Sequence, residues 1–291
     1  MRGRRRFRAA AAAVALLCAT AGLAGCSGGG RVEAAAPKPR PAPTPVWNAS
    51  PGSLAAVGDS VTRAFDACTV LADCPEVSWA TGTDAAVNSL ALRLLGPEKV
   101  AGRSSNLARS GARMADLPDQ MAAAAAERPE LVTVMMGGND ACRDRVTEMT
   151  PVEDFRASFT TALARLRAGA PKAQVYVSSV PDLRRLWETG RVSPMGRQVW
   201  KLGICGSMLA DAEDLGAAAE ERRTRVRDRV VAYNEVLREV CAKDARCRYD
   251  GGAVFGFAFG QDQLSPWDFF HPSRNGQARL AEIAYREISR K

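Results

Sequence analysis

The segment Leu131–Met136 constrains the fold more than any other part of the chain. It is short, almost entirely apolar, and followed at once by a pair of glycines. Such a run is typical of a strand that is buried on both faces, as the strands of a parallel sheet are. A second run, Leu54–Val57, ends at Gly58 in the same way. The sequence therefore predicts a parallel sheet at the centre of the protein.

Strand-like and helix-like segments alternate along the rest of the chain, which predicts an α/β fold with helices on both faces of the sheet. In such folds the functional site lies beyond the carboxyl ends of the strands. The stretch 184–216 has no clear period and predicts an irregular segment. The predicted strands are 54–57, 100–107, 131–136, 174–180 and 247–250, and the predicted helices are one after Ser60, then 85–95, 114–127, 155–168, 220–242 and 272–289.

The first twenty-six residues are typical of an export signal. A run of arginines precedes the short apolar stretch Ala9–Leu17, which is too short to be a transmembrane helix. The ending Leu23-Ala24-Gly25-Cys26 is similar to a bacterial lipobox. That similarity implies a lipid anchor at Cys26 and a place on the outer face of the cytoplasmic membrane. Ordinary cleavage nearby would instead give a secreted protein, and the arginines fit either a Sec or a twin-arginine signal.

Composition divides the remainder into a tether and one large domain. Residues 27–51 are rich in Gly, Ala and Pro and predict a flexible tether, and 52–291 is long enough for a single α/β domain. The chain carries a net charge of +8, but five arginines of the signal account for most of it, so the mature part is near +3. This balance gives no support to nucleic-acid binding. We expect a monomer.

Cysteine usage also predicts export. Outside the signal and Cys26, six cysteines remain, an even number that favours disulfides over free thiols in an exported chain. Fifteen pairings are possible. Two spacings of six residues favour local pairs, Cys68 with Cys74 and Cys241 with Cys247, and leave Cys142 to pair with Cys205. No cysteine–histidine metal site is expected, since the chain has one histidine.

Four polar motifs follow predicted strands or precede the last helix. In chain order they are Gly58-Asp59-Ser60, then Asn106 with Gly111, then Gly137-Gly138-Asn139-Asp140, and lastly Asp268-Phe269-Phe270-His271. This set and its order resemble the SGNH (GDSL) hydrolase family. The resemblance covers most of the domain. It implies a flavodoxin-like three-layer sandwich around a parallel sheet, and an ester hydrolase that needs no cofactor or metal.

The resemblance implies roles for five residues. Ser60 corresponds to the nucleophile, His271 to its base, and Asp268 to the acid that orients the imidazole and stabilises the imidazolium. The backbone N–H groups of Ser60 and Gly111 and the side chain of Asn139 correspond to the donors of the oxyanion hole. Chemistry agrees, because a serine hydroxyl needs a nearby base and His271 supplies the chain's single imidazole. Asp268, three positions earlier, can orient that imidazole.

The substrate is less constrained by the sequence. Ser78–Thr83 and Ser265–Trp267 look similar to phospholipase-B-like and actinobacterial lipase members of the family, which favours a lipid or phospholipid ester. A carbohydrate or cell-envelope deacetylase with the same residues is the alternative, and a non-catalytic envelope-binding lipoprotein is a further one. Four aromatic residues are candidates for lining the substrate site: Trp79, Trp187, Trp200 and Phe269.

Overall fold

Five parallel strands form the centre of the protein, in the spatial order β2-β1-β3-β4-β5. The structure is a computed structural model that describes residues 45–290. The predicted export signal, Cys26 and the predicted tether up to residue 44 lie outside the described residues. The strands are β1 Leu54–Gly58, β2 Ser104–Asn106, β3 Leu131–Met135, β4 Gln174–Val177 and β5 Cys247–Tyr249.

Eleven α-helical segments connect and cover these strands within residues 45–290, and three of them are single turns of four residues. They are α1 Leu90–Leu95, α2 Pro97–Arg103, α3 Leu117–Glu127, α4 Gly138–Ala141, α5 Val152–Gly169, α6 Leu183–Gly190, α7 Pro194–Trp200, α8 Gly206–Leu209, α9 Ala217–Cys241, α10 Ala253–Gly256 and α11 Arg274–Ser289. No helix of this part of the chain is both long and apolar enough to span a membrane.

The apolar runs of the sequence form the middle of the sheet. Every residue of β1, β3 and β4 is buried, as expected where both faces of a sheet are covered. Helices α3, α5 and α9 pack in series, and α1 packs on α11. The chain crosses from β1 to β2 in one direction along the sheet, and later crosses through β3, β4 and β5 in the other direction. Because each crossover is right-handed, the two groups of helices lie on opposite faces of the sheet. The predicted three-layer α/β sandwich is confirmed.

Two glycines at strand ends are required by close backbone contacts. Gly58 ends β1 with φ +152°, and a Cβ atom there would lie 2.3 Å from the carbonyl oxygen of Met135. Gly137 follows β3 with φ +126°, and a Cβ atom there would lie 2.7 Å from the side chain of Val180. Both contacts exclude larger residues, so the strands can approach closely where the polar motifs begin.

Two predicted elements are wrong in detail. The strand predicted over 100–107 is limited to β2, because Pro97 starts a helix, α2, that continues to Arg103. The helix predicted after Ser60 is a series of turns in which Ala64 and Asp66 have positive φ values, which interrupt a helix. The irregular stretch 184–216 also contains short helices, α7 and α8 among them.

Contacts with the domain begin before residue 52. The indole N–H of Trp47 donates to the carbonyl oxygen of Ile288 at 2.9 Å, and the guanidinium of Arg248 lies 4.3 Å from the Trp47 ring. The side chain of Gln174 pairs with the backbone of Asn48. A large aromatic residue inside the Pro-rich segment thus holds the last part of the predicted tether on the domain.

The predicted disulfide pairing is confirmed. Cys68 is bonded to Cys74, Cys142 to Cys205 and Cys241 to Cys247. The long bridge joins the turn after β3 to the start of α8, where the Ser207 hydroxyl also donates to the carbonyl oxygen of Ala141. Three disulfides indicate an exported protein.

We expect the long bridge to stabilise the fold more than a local one does. Closing the 63-residue separation between Cys142 and Cys205 should contribute about 4 kcal/mol to the free energy of unfolding, against about 2 kcal/mol for a six-residue separation. The pair of changes Cys142→Ala and Cys205→Ala should therefore lower Tm more than Cys241→Ala with Cys247→Ala. Calorimetry of both double variants measures this, and equal losses of Tm would contradict it.

Candidate active site

Three side chains from the two ends of the domain form a hydrogen-bonded chain. The hydroxyl Oγ of Ser60 lies 2.8 Å from Nε2 of His271, and Nδ1 of His271 lies 2.5 Å from Oδ2 of Asp268. Ser60 is 7% exposed, and the His271 side chain is 16% exposed. The imidazole therefore contacts both partners while its serine edge stays open to a small molecule. This arrangement can move a proton off the serine hydroxyl.

The loop before α11 holds Asp268 in place. Its Oδ1 accepts the backbone N–H groups of Phe270 and His271, each at 2.9 Å, so that Oδ2 is directed at the imidazole. The indole N–H of Trp200 donates to the carbonyl oxygen of Asp268 at 2.8 Å. The carboxylate and the ring it orients are thus fixed by backbone contacts rather than by side-chain packing alone.

Ser60 lies just after β1, at the point where the strand order reverses. From β1 the sheet extends to β2 on one side and to β3 on the other, and such a switch point is where α/β sheets bind ligands. Two buried glutamines brace the turn. Gln120 accepts from the N–H of Gly58 at 2.7 Å and donates to its carbonyl oxygen at 3.0 Å, and Gln277 donates to the carbonyl oxygen of Val61 at 3.0 Å.

Of the three predicted oxyanion donors, Ser60 and Asn139 line the cavity at the nucleophile and Gly111 does not. Asn139 lies at the start of α4 beside Ser60, and its amide donates one hydrogen to the carbonyl oxygen of Ala112 at 2.9 Å. The second amide hydrogen has no acceptor among the described residues. The N–H of Ser60 has no acceptor among the described residues. Gly111, with φ +79°, is exposed in the loop next to Ala112 and does not line the cavity at Ser60.

The charges around the imidazole favour its protonated form. Burial alone would lower the pKa of His271, but the hydrogen bond and negative charge of Asp268 outweigh burial and hold the pKa above its usual value. Burial would likewise raise the pKa of Asp268, yet its bond to His271 keeps that pKa low. An imidazolium formed by proton transfer from Ser60 is therefore stabilised.

Asp59 is a further acid at the site. Burial raises its pKa to about 7, although its carboxylate accepts the N–H of Val61 at 3.0 Å, which acts in the opposite direction. It is 3% exposed. Asp59 shapes the turn that carries Ser60, and part of the Asp59 population is protonated at neutral pH.

A narrow apolar slot opens beside Ser60. It holds about 40 Å³ of free space between the ends of β3 and β4 and the loop of His271. Its lining residues are mainly apolar. Two of them belong to α6, which lies in a stretch where the sequence predicts no regular element. The apolar residues that line it are Val61, Met135, Met136, Val180, Pro181, Leu183, Leu186, Phe259, Phe270 and Pro272.

The four predicted substrate-lining aromatics lie elsewhere, and this prediction is wrong. Trp79 and Trp187 are buried in the core, where Trp187 stacks under the guanidinium of Arg223 at 4.0 Å. The indole N–H of Trp200 donates to the carbonyl oxygen of Asp268, and Trp200 does not line the slot. Phe269 packs against α7. Phe259 and Phe270 occupy the predicted position instead, and no periodic pattern distinguished them from the other aromatics.

Other candidate sites lack the groups needed for catalysis. A larger cleft of about 620 Å³ lies at the opposite edge of the sheet, around residues 128–130 and 169–174, and its lining contains no serine, cysteine or histidine. Among residues 45–290 one group of three potential metal ligands is found, Cys68, Cys74 and Glu76. Its two sulfurs form a disulfide and are not thiolate ligands.

Comparison with known protein families assigns the chain to one of them. A family description, GDSL-like Lipase/Acylhydrolase, matches residues 54–284, which is most of the sequence and contains all four motifs. The chain belongs to this family. It is a carboxylic ester hydrolase. The match spans both Ser60 and His271, so the two ends of the site lie within one family domain.

Several solved structures are similar to the chain at low sequence identity. An extracellular lipase from Streptomyces rimosus is 18% identical over 81% of this chain and 99% of that one, with a TM-score of 0.47. Phospholipase A1 from Streptomyces albidoflavus gives the same four values. A family 3 carbohydrate esterase from Clostridium thermocellum is 13% identical over 81% and 94%, with a TM-score of 0.48. No curated protein matched the sequence.

The pKa of Asp59 predicts a pH-dependent effect of Asp59→Asn. Asp59 ionises near pH 4 when unfolded and near pH 7 when folded, so its contribution to stability is present below pH 4 and is lost as the pH rises to 7. Asparagine keeps the acceptor for the N–H of Val61 without the charge. The Tm of Asp59→Asn relative to wild type should therefore be higher at pH 8 than at pH 4. The same Tm difference at both values would contradict a raised pKa.

Proposed function

We propose that the protein hydrolyses acyl esters through a covalent acyl-Ser60 intermediate. The observation that carries this proposal is the hydrogen-bonded chain from Ser60 through His271 to Asp268, with distances of 2.8 and 2.5 Å. His271 Nε2 takes the hydroxyl proton as Ser60 Oγ attacks the ester carbonyl. The imidazolium then gives that proton to the leaving alcohol as the carbon–oxygen bond breaks.

The second half of the reaction repeats these steps with water. His271 removes a proton from a water molecule that attacks the acyl-serine carbonyl, and it returns the proton to Ser60 Oγ as the acid leaves. In both halves the negative carbonyl oxygen is held by the N–H of Ser60 and the free amide hydrogen of Asn139. For the N–H of Gly111 to serve as a third donor, the exposed loop that carries it would have to move toward Ser60.

The site favours a lipid acyl ester. The slot beside Ser60 is lined by apolar side chains, as an acyl chain requires. Three exposed apolar residues stand on the two loops that contact each other behind His271: Val70 is 52% exposed, Leu71 is 78% exposed and Trp267 is 45% exposed. Exposed apolar side chains on adjoining loops support contact with a lipid surface.

Deacetylation of a carbohydrate is the second candidate, favoured by the size of the slot. About 40 Å³ of free space accepts a short acyl group as it stands. A long chain requires Leu183 or Leu186 to move, or else must lie along the exposed edge. We place lipid esters first because the slot is lined mainly by apolar side chains, whereas a sugar needs polar partners.

We further propose that the protein is held at the outer face of the membrane by a lipid on Cys26. The lipobox-like ending Leu-Ala-Gly-Cys supports the anchor, and the three disulfides agree with an exported location.

The first prediction concerns the nucleophile. Ser60→Ala and His271→Ala should each lower kcat by about three orders of magnitude or more, because the residues act as one unit. Ser105→Ala, at a serine of β2 outside the site, should keep wild-type activity. A fluorophosphonate probe should label Ser60 in the wild type and in Ser105→Ala, as mapped by peptide mass spectrometry. Full turnover by Ser60→Ala would refute the serine mechanism, and a folded wild type without label or activity would favour a binding protein.

The second prediction concerns the acyl chain. The wild type should have a higher kcat/KM for medium- and long-chain p-nitrophenyl esters than for the acetate. Leu186→Ala widens the slot and should raise the ratio of long-chain to acetyl activity about tenfold. Leu163→Ala, at a similarly buried leucine of α5, should lower Tm and leave that ratio unchanged. Fastest turnover of acetylated sugars would instead support the deacetylase.

The third prediction concerns the anchor. Cys26→Ser should move the protein from the membrane fraction to the soluble fraction and leave its specific activity unchanged, while Cys18→Ser should stay with the membrane. Mass spectrometry of the mature N-terminus identifies the lipid, and an unmodified N-terminus at another residue would contradict the anchor.

A further inference from the structure

Among residues 45–290 three tryptophans are buried, and they differ in whether the indole N–H has a partner. Trp79, Trp187 and Trp200 are each no more than 3% exposed. The indole N–H groups of Trp79 and Trp187 have no acceptor in the described part of the chain. That of Trp200 donates to the carbonyl oxygen of Asp268 at 2.8 Å. Trp200 is therefore distinguished by its contact with the catalytic acid and not by its burial.

The peptide group between Asp268 and Phe269 is the part of the site that Trp200 contacts. Phe269 has φ +54°, a backbone conformation that few bulky residues adopt, so its surroundings must hold it there. The carbonyl oxygen of this peptide accepts from Trp200, and its N–H donates to the carbonyl oxygen of Ser265 at 2.9 Å. The next two N–H groups of the chain bind Oδ1 of Asp268. A rotation of this peptide would therefore move the carboxylate away from His271.

Two glycines of the neighbouring helices allow the Trp200 ring to lie against this peptide. A Cβ atom at Gly190, the last residue of α6, would lie 2.5 Å from the Trp200 ring and 2.7 Å from the carbonyl oxygen of Phe269. A Cβ atom at Gly196 of α7 would lie 2.8 Å from the carbonyl oxygen of Gly190 and 3.0 Å from the Phe269 ring. Both helices thus pack closely on the residue that follows Asp268, which keeps the indole beside that carbonyl group.

The segment that carries Trp200 also forms part of the slot beside the nucleophile. Leu183 and Leu186 of α6 line the slot. The Thr189 hydroxyl, near the end of α6, donates to the carbonyl oxygen of Phe259, another lining residue, at 3.0 Å. Helix α6 therefore contacts the slot along its length and packs against the Trp200 ring at its last residue. The wall of the slot and the support of the catalytic acid belong to one segment of the chain.

We propose that Trp200 is a positioning residue, which holds the main chain of Asp268 so that the carboxylate stays in line with His271. The N–H groups that hold the carboxylate come from the loop of Asp268 itself, whereas Trp200 reaches this loop from α7. Trp200 does not line the slot. It therefore acts on the chemical step through Asp268 and not on substrate binding. This proposal rests on the proposed hydrolase function.

Ester hydrolysis by Trp200→Phe gives the first test, since phenylalanine keeps an aromatic ring and removes the N–H donor. This variant should lower kcat by about tenfold and keep KM within about twofold. The ratio of long-chain to acetyl activity should stay within about twofold of wild type, unlike in Leu186→Ala. The matched control is Trp187→Phe, which removes an indole N–H that has no acceptor. It should lower Tm, because the ring stacked on Arg223 becomes smaller, and keep kcat within about twofold.

The single histidine gives a second test that does not depend on hydrolysis. The chain contains one histidine, so histidine-selective NMR reports the pKa of His271 alone. In the wild type the hydrogen bond and the charge of Asp268 raise that pKa. A less well aligned carboxylate in Trp200→Phe should lower it by about half a unit or more. Asp59 and Asp66 also act on the imidazole, and the change at position 200 leaves both in place.

These outcomes separate the two proposals. Wild-type kcat and an unchanged pKa of His271 in Trp200→Phe would refute the positioning role and leave the serine mechanism intact. Equal changes of kcat and pKa in Trp187→Phe would also refute it, since they would follow from general loosening of the segment. If Trp200→Phe does not fold, replacing the Trp200 indole with benzothiophene, which has the same shape and no N–H, repeats both tests. A wild type that hydrolyses no ester, with the pKa still lowered in Trp200→Phe, would refute the hydrolase proposal alone.

Discussion

The hydrogen bond between Ser60 and His271 joins residues 211 positions apart in the sequence, and the fold is arranged so that this contact is possible. The serine needs β1 at the middle of the sheet, and the histidine needs the loop before α11 to return to the end of that strand. Backbone N–H groups that hold Asp268 set the ring angle. Such a site works only when the serine hydroxyl and the imidazole are held in position, since proton transfer between them requires a distance near 3 Å.

Close packing at the ends of β1 and β3 supports that placement. The contact of Gly58 with the backbone of Met135 brings the two strand ends together, and with them Ser60 and Asn139. Gln120 and Gln277 form hydrogen bonds with backbone groups that the turn leaves without a backbone partner. A buried hydrogen bond that is left unmade costs about 1–3 kcal/mol, so these side chains stabilise the turn as well as orient it.

The sequence predicted features that depend on a local pattern of residues. It did not predict contacts between residues on separate loops. Buried strands such as β3 are visible as apolar runs, and spacing led to the disulfide pairs. The tryptophans were misplaced because an aromatic residue in an irregular segment looks the same whether it lines a cleft or fills a core, as Trp187 does. Gln120 could have been found as the polar residue on the buried face of α3. The hydrogen bond from the Ser265 hydroxyl to the Asp66 carbonyl oxygen could not, since it joins residues 199 positions apart.

The contacts of Trp47 and Asn48 have a consequence for how the enzyme meets its substrate. They fix the incoming chain beside Gln174, at the start of β4, whereas Ser60 follows the end of β1. In a parallel sheet these are opposite edges. A substrate can therefore reach Ser60 from the edge of the sheet opposite to the one where Trp47 and Asn48 are bound.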